Sequence, residues 1–149
     1  MSEVQETTAK KTPWHLWVIG VSALLWNSMG AFDYVMTQTR NEGYMSGFTP
    51  EQLEYFYRFP AWLVADWAIA VWGGVLGALL LLLRKRLAVP VFCVSLIAVA
   101  ISTIYTYGIS NGMEVVGDTI SLVFSAVIFL VALALYFYAR KMAGSGVLT

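Results

Sequence analysis

Polar side chains follow a long apolar run in the first third of the chain, and their types suggest binding chemistry. The stretch WNSMGAFDYVMTQTR contains Asn27, Asp33, Tyr34 and Gln38. Carboxylates that are removed from water can carry raised pKa values and exchange protons. Carboxylates and amides can also hydrogen-bond a hydroxylated solute, and oxygen ligands can hold a hard cation such as Na⁺ or Ca²⁺. The sequence leaves these three chemistries open, with the cation the least favoured.

Further acids and aromatic residues are predicted at a similar depth in other apolar segments. At 1.5 Å per residue, Asp33 and Asp66 each lie roughly 9 Å below the same end of their segments. The predicted solute-binding residues are Asn27, Asp33, Tyr34, Gln38, Trp62, Asp66, Tyr105 and Asp118. Together they would line an acidic, aromatic pocket.

Each acid also has a structural interpretation. Asp118 could precede a helix, where the helix dipole favours a negative charge. Asn27 could hold two helices together by hydrogen bonding. The structural partners predicted for the other two acids are Tyr105 or Asn27 for Asp66, and Arg40 or Arg58 for Asp33. The structural and the solute-binding interpretations both stay open at this point.

Several classes of function are disfavoured by residues that the sequence lacks. The chain has one histidine, His15, and one cysteine, Cys93, so a single copy cannot build a multi-histidine zinc site or an intrachain disulfide. It contains no phosphate-binding loop, nucleophile elbow or Cys-x-x-Cys pair. Net charge is zero, which argues against a nucleic-acid surface. We therefore predict no metal, no cofactor and no catalytic residues, and an enzyme built from carboxylates and tyrosines is the least favoured class.

The composition indicates that these residues sit in a membrane protein. The 149 residues are 59% hydrophobic and 12% charged, against about 25% charged in soluble domains, and the mean hydropathy is +0.71. Roughly 20 apolar residues are needed to cross a hydrocarbon core as a helix. Four segments meet that requirement: residues 14–38, 60–83, 87–108 and 117–139. We predict an all-α, four-helix up-down membrane bundle over residues 14–140, with disordered cytoplasmic tails at 1–13 and 141–149.

The distribution of Lys and Arg predicts the orientation of this bundle. Seven basic residues fall on one side if the amino terminus is inside: Lys10, Lys11, Arg84, Lys85, Arg86, Arg140 and Lys141. Only Arg40 and Arg58 fall on the other side. Cytoplasmic loops carry such an excess, so we predict that both termini are cytoplasmic and that the polar end faces out. A cleaved signal peptide is the rival interpretation of the first segment, and Glu3 and Glu6 in the leader disfavour it.

The one long connection, between the first two segments, contains its own helix signal. Thr49 has the side chain of an N-cap, Pro50 suits the first turn, and Gln52 occupies the capping-box position. Leu53 and Phe56 then form part of a short apolar face. We predict an interfacial helix at about residues 50–58 that lies across the outer mouth as a lid.

Small residues at helical spacing predict how the helices meet. Membrane helices associate through small side chains and interhelical hydrogen bonds. The predicted packing positions are Gly30 in the first segment and Gly73 and Gly77 in the second. Asp66 shares the glycine stripe, so its side chain should face protein, since lipid exposure of a charge costs at least ~3 kcal/mol.

Three stretches together resemble a known group of proteins. They are PWHLWVIGVSALLWNSMGAFDY, FTPEQLEYFYRFPAW and VWGGVLGALLLLLRKRLAVPVF. They look like uncharacterised small four-span proteins of the bacterial inner membrane, which often carry the automatic label of sugar transporter. The resemblance implies an inner-membrane location and favours transport, and it assigns no site residues.

Two hypotheses of function follow. The first is a multi-pass inner-membrane protein that binds or transports a small hydroxylated solute through an outward-facing acidic, aromatic pocket, working as an oligomer. The second is a non-catalytic accessory or assembly subunit that docks on a larger membrane complex through its glycine stripe. The lipid bilayer is a partner in either case.

Overall fold

The computed structural model describes residues 11–149, and all regular structure in that range is helical. Residues 1–10, which make up most of the predicted amino-terminal tail, lie outside the described part. The helices are α1 (Trp14–Gln38), α2 (Glu42–Met45), α3 (Pro50–Tyr57), α4 (Ala61–Leu82), α5 (Ala88–Ile104), α6 (Gly112–Val116) and α7 (Thr119–Gly144). A π-helical turn, Tyr105–Ile109, continues α5.

Four of the described helices are long and apolar enough to cross a membrane: α1, α4, α5 with its π-helical turn, and α7. Each coincides with one predicted segment. The largest difference is at the end of α7, which continues to Gly144 instead of ending near residue 139. The sequence analysis missed α2, α6 and the π-helical turn, which are too short to produce a hydropathy signal.

The capping signal before α3 is confirmed. The hydroxyl of Thr49 accepts a hydrogen bond from the backbone N–H of Gln52 at 3.2 Å, and the Gln52 side chain accepts one from the backbone N–H of Thr49 at 3.1 Å. Pro50 occupies the first turn. Two backbone donors that the helix itself cannot satisfy are bonded in this way, which explains why α3 begins there.

The long helices pack in chain order. α1 lies against α4, α4 against α5, and α5 against α7. α1 and α7 do not pack side by side along their lengths, although two contacts join them. The phenol of Tyr138 lies 2.6 Å from His15 Nδ1, and the rings of Trp26 and Phe124 have centroids 6.0 Å apart. Three seams between neighbouring helices are therefore packed and the fourth is bridged at points.

Glycines bring α4 close to both of its neighbours. A Cβ at Gly74 would overlap the Asn27 amide of α1, and one at Gly77 would lie 2.7 Å from the Phe92 ring of α5. A Cβ at Gly73 would meet Ser95 of α5 at 3.3 Å. The predicted glycine pair thus contacts α5 inside the chain. Gly30 faces Val71 of α4 with ordinary spacing, 3.4 Å from its would-be Cβ.

The best-packed part of the molecule is the end that carries Arg84, Lys85 and Arg86. Here the buried residues form one cluster, which we call the packed base: Leu16, Ala23, Ala78, Leu81, Ala88, Phe92, Leu135, Ala139, Met142, Val147 and Leu148. At the opposite end of the long helices few side chains are buried. The four helices are therefore closed at the basic end and looser at the other.

The carboxyl-terminal residues belong to this base, which corrects the prediction of a disordered tail at 141–149. Leu148 is only 1% exposed. The backbone N–H of Thr149 donates to the carbonyl of Arg84 at 2.9 Å, and the carbonyl of Thr149 accepts from the N–H of Arg86 at 3.0 Å. The positive φ of Gly146 allows the chain to turn back after α7. The segment was predicted as disordered because most of its residues are small or polar, but Val147 and Leu148 anchor it in the packed base.

Candidate functional site

A cavity of about 580 Å³ lies between the four long helices, above the packed base. Phe92 and Leu135 form its floor, and Asn27, Asp33 and Ala132 are among its walls. Most of the remaining lining is aliphatic or aromatic, with hydroxyl groups from α5 and α7. Deep apolar walls with a few polar groups are typical of small-molecule sites.

Asp33 is the predicted acid that reaches the cavity. Its Oδ1 accepts a hydrogen bond from the Tyr44 hydroxyl at 2.5 Å, which links α1 to α2. Burial raises the pKa of Tyr44 to about 12, helped by the hydrogen bond to Asp33 and the repulsion of its charge. The predicted arginine partners are wrong: Arg40 lies over the Tyr57 ring at 4.2 Å, and Arg58 pairs with Glu54 at 2.6 Å.

Asn27 lines the same cavity and also joins α1 to α4. Its Nδ2 donates to the carbonyl of Ala23 at 2.8 Å, which orients the amide along its own helix. Its Oδ1 then lies against Gly74, where no larger residue would fit. Asn27 therefore packs against α4 without the interhelical hydrogen bond predicted for it, and it also lies on the cavity wall.

Asp66 faces protein, as the glycine stripe predicted, but it does not line the cavity. Its Oδ2 accepts a hydrogen bond of 2.5 Å from Ser102 of α5. The predicted partners Tyr105 and Asn27 are wrong. Serine was the harder partner to foresee, because the rotation of α5 relative to α4 cannot be read from hydropathy. The contact joins α4 to α5, which favours the structural interpretation of this acid.

The other predicted residues lie outside the cavity. Tyr34 packs edge-on against Trp67 with centroids 4.9 Å apart, and Trp62 packs against Tyr105 at 5.3 Å. Gln38 is exposed at the end of α1. The structure therefore brings together Asn27 and Asp33 from the predicted set, with Gly30 beside them.

Asp118 is an N-cap, as its structural interpretation held. It precedes α7 and accepts hydrogen bonds from the backbone N–H and the hydroxyl of Ser121, at 3.1 and 2.7 Å. The bond from the Ser121 hydroxyl is the largest influence that lowers the pKa of the Asp118 carboxyl. These contacts hold the carboxylate at the surface, away from the cavity.

The sequence analysis did not recognise most of the aromatic residues that line the cavity at its outer end. We call Tyr44, Phe48, Phe56 and Phe59 the aromatic roof. Consecutive members contact one another, with ring centroids 6.2, 5.4 and 6.1 Å apart, and all four line the cavity. The signal that could have found them is the six aromatic residues between positions 44 and 59.

The roof is tied down on two sides. Tyr44 bonds Asp33 of α1, and the hydroxyl of Tyr55 in α3 lies 2.7 Å from that of Ser110, just after the π-helical turn. The π-helical turn contributes to the cavity as well, through Thr106 and Tyr107. The Tyr107 hydroxyl lies 2.7 Å from that of Ser125 in α7.

A second, shallower pocket of about 380 Å³ lies outside the roof, between α3 and α6. Glu51, Glu54 and Glu114 give it an acidic rim, with Tyr105 at its wall. Within residues 11–149 no three His, Cys, Asp or Glu side chains are arranged to hold a metal ion. The sequence predicted one acidic pocket, but the carboxylates are divided between two. Asp33 lines the central cavity, and Glu51, Glu54 and Glu114 line the pocket outside the roof.

We compared the chain with protein-family models, with curated proteins and with solved structures, and none of the three comparisons found a match. The chemistry of the cavity is therefore the basis for assigning a function.

Proposed function

We propose that this chain is a multi-pass membrane protein that binds a small solute in the central cavity. The observation that carries the proposal is the cavity, whose volume of about 580 Å³ falls within the ~300–1,000 Å³ range of small-molecule sites. Its packed floor suits binding better than passage, so transport would require a second conformation in which the base opens.

The lining supports a solute that is mainly apolar and carries a hydroxyl group. Asp33 is the anionic acceptor in the wall, and one of its oxygens already accepts from Tyr44. Hydroxyl groups in the wall bond to one another or to their own helix, as Tyr107 does with Ser125 and Thr103 with the carbonyl of Val99. A sugar would need many more polar partners, because each buried hydroxyl without a hydrogen bond costs free energy.

The proposal includes an arrangement in the membrane. The four long helices would form an up-down bundle in the bacterial inner membrane, with both termini cytoplasmic. Helix α3 would lie at the outer surface, since its Phe56 belongs to the roof while Glu51 and Glu54 are exposed. The excess of Lys and Arg at the base supports this direction. We also propose an oligomer, whose copies would complete any path for transport.

The alternative, an accessory subunit of a larger complex, is less well supported. Its docking stripe consisted of Gly73 and Gly77, and both contact α5 within the chain. Binding in the cavity is therefore the better supported proposal.

The test is to fill the cavity at Ala132 and to compare ligand binding with a matched variant. Ala132→Phe adds a ring to the cavity wall, and Ala134→Phe adds the same ring to an exposed position of the same helix. Benzyl alcohol, octanol and glucose would be titrated into each protein in lipid nanodiscs. The measurement is the thermal midpoint followed by tryptophan fluorescence.

We expect the two apolar alcohols to raise the midpoint of the wild type and of Ala134→Phe, and glucose to have no effect. A ligand at 100 times its Kd stabilises by about 2.7 kcal/mol, which is readily measured. Ala132→Phe should abolish the shift. If Ala132→Phe and Ala134→Phe respond alike to every probe, the cavity is not a binding site and the proposal is wrong.

A further inference from the structure

The cavity is closed on most of its sides, and the remaining side identifies where a ligand comes from. The packed base closes the floor, with Phe92 and Leu135 directly beneath the cavity. The aromatic roof covers the outer end and is tied to α1 by Tyr44 and to the segment after α5 by Tyr55. The seams α1/α4, α4/α5 and α5/α7 are packed. Only the seam between α1 and α7 lacks continuous packing.

That seam reaches the cavity near the middle of α1, where the contact between two aromatic rings bridges it. Trp26 is the thirteenth of the 25 residues of α1, so it lies about 18 Å from either end of the helix. It faces Phe124 of α7 across the seam, and both rings line the cavity. We call the seam between these helices above the packed base the α1/α7 slot. Phe124 is 54% exposed and Met29, beside Trp26 on the lining, is 64% exposed.

Asp33 is the one carboxylate among the described residues that line the cavity, and it lies towards the outer end of the slot. Asp33 lies five residues from the end of α1, about 8 Å below it. Among the described residues its Oδ1 receives the bond from Tyr44, and the second oxygen can still accept from a ligand hydroxyl. Below it the lining is mainly apolar, as at Ile128 and Val131. The polar residues there, Asn27, Ser95 and Ser125, already have hydrogen-bond partners within the protein.

The geometry points to a ligand drawn from the bilayer, an inference that rests on the proposed function. The ligand is an amphiphile with a hydroxyl head and a single hydrocarbon chain, and it reaches the cavity sideways through the α1/α7 slot. The head bonds the free oxygen of Asp33 beneath the roof, and the chain extends towards Phe92 and Leu135. An apolar ligand dissolved in lipid reaches this slot without crossing water, whereas the roof obstructs an approach from outside.

The experiment closes the slot with a covalent bridge. In a Cys93→Ser background, Trp26→Cys and Phe124→Cys would be joined by a short bis-maleimide, and the same variant capped with N-ethylmaleimide is its control. A second control joins α1 to α7 within the base, through His15→Cys and Tyr138→Cys. The probe is a long-chain alcohol with a diazirine and an alkyne, delivered in lipid nanodiscs, and labelled residues are mapped by mass spectrometry.

We expect the probe to label the cavity wall near Ile128 and Val131 in the capped protein and in the base-bridged protein. Bridging the slot should reduce that labelling at least tenfold. If the slot-bridged protein is labelled as strongly as the capped one, the ligand does not use the slot and the inference fails, although binding in the cavity stands. If labelling is confined to outward-facing residues such as Ile120, the ligand is not a membrane amphiphile and the inference again fails.

These outcomes are separate from a failure of the proposed function. Binding of benzyl alcohol that is lost in Ala132→Phe would still support a ligand cavity, whatever the bridge does. If neither benzyl alcohol nor the long-chain probe responds to Ala132→Phe, the proposed function itself is wrong.

Discussion

At the scale of single residues, each of the three aspartates of this chain accepts a hydrogen bond from a hydroxyl group. Asp33 accepts from Tyr44 and Asp66 accepts from Ser102, each at 2.5 Å. A hydroxyl can satisfy a carboxylate without bringing a second charge into an apolar region, where a buried ion pair has a large desolvation cost. The two contacts therefore hold elements together, and Asp33 alone remains beside the cavity.

The burial of Tyr44, together with its hydrogen bond to Asp33, makes stability depend on pH in the alkaline range. The pKa of Tyr44 is raised from 10.0 to about 12 in the folded protein. A raised pKa contributes stability that is complete below the unfolded value and is lost as pH rises through the folded value. We therefore expect the bond to lose its stabilising effect between pH 10 and 12. Tyr44→Phe should show a shallower loss of stability over this window.

The measurement for Tyr44 is the tyrosinate absorbance, with the unfolding midpoint taken at each pH. In Asp33→Ala two of the three causes of the shift, the hydrogen bond and the charge repulsion, are absent, so the ionisation of Tyr44 should move down towards pH 10, while burial still holds it above that value. If Asp33→Ala leaves the tyrosinate titration unchanged, the hydrogen bond does not exist in solution.

At the scale of helices, hydropathy predicted where the long elements are and could not predict how they face one another. Apolar composition and length locate α1, α4, α5 and α7, and the side-chain chemistry of Thr49 and Gln52 locates the start of α3. The partners of Asp33 and Asp66 depend on how each helix is rotated about its own axis. A shift of one or two residues in register changes that rotation, and hydropathy does not resolve it. The aromatic roof depends on the path of residues 40–60, a connection with no periodic signal.

The glycines of α4 provide a test of helix packing. A Cβ at Gly77 would lie 2.7 Å from the Phe92 ring, which is itself fixed in the packed base, whereas one at Gly73 would lie 3.3 Å from Ser95. Overpacking costs about 1–3 kcal/mol where neighbours cannot move. We expect Gly77→Ala to lower the unfolding free energy by that amount and Gly73→Ala to be nearly neutral, as measured by denaturing-detergent titration in mixed micelles.

Gly30→Ala supplies the control on the other face of α4, because its Cβ would make an ordinary contact with Val71 at 3.4 Å. It should behave like Gly73→Ala. Equal destabilisation by all three substitutions would mean that helix packing in the bilayer differs from the contacts described here.

At the scale of the whole molecule, one end is packed and basic and the other encloses a cavity beneath an aromatic roof. The sequence predicted the difference in charge, since Lys and Arg concentrate near residues 84–86 and 140–141. It did not predict that residues 147 and 148 complete the packed end, because a short segment after a helix carries too little apolar signal. It also did not predict the slot, which results from α7 packing along α5 and not along α1.

The orientation of this asymmetric molecule can be tested by cysteine labelling. Glu51 of α3 and Lys85 of the α4–α5 turn are both exposed and lie at opposite ends of α4. In a Cys93→Ser background, a membrane-impermeant maleimide should label Glu51→Cys in intact spheroplasts and Lys85→Cys only after lysis. The physical reason is that basic segments near helix ends are retained in the cytoplasm. The reverse pattern would place the roof in the cytoplasm. The proposed entry through the α1/α7 slot does not depend on this orientation, because Trp26 lies at the middle of α1.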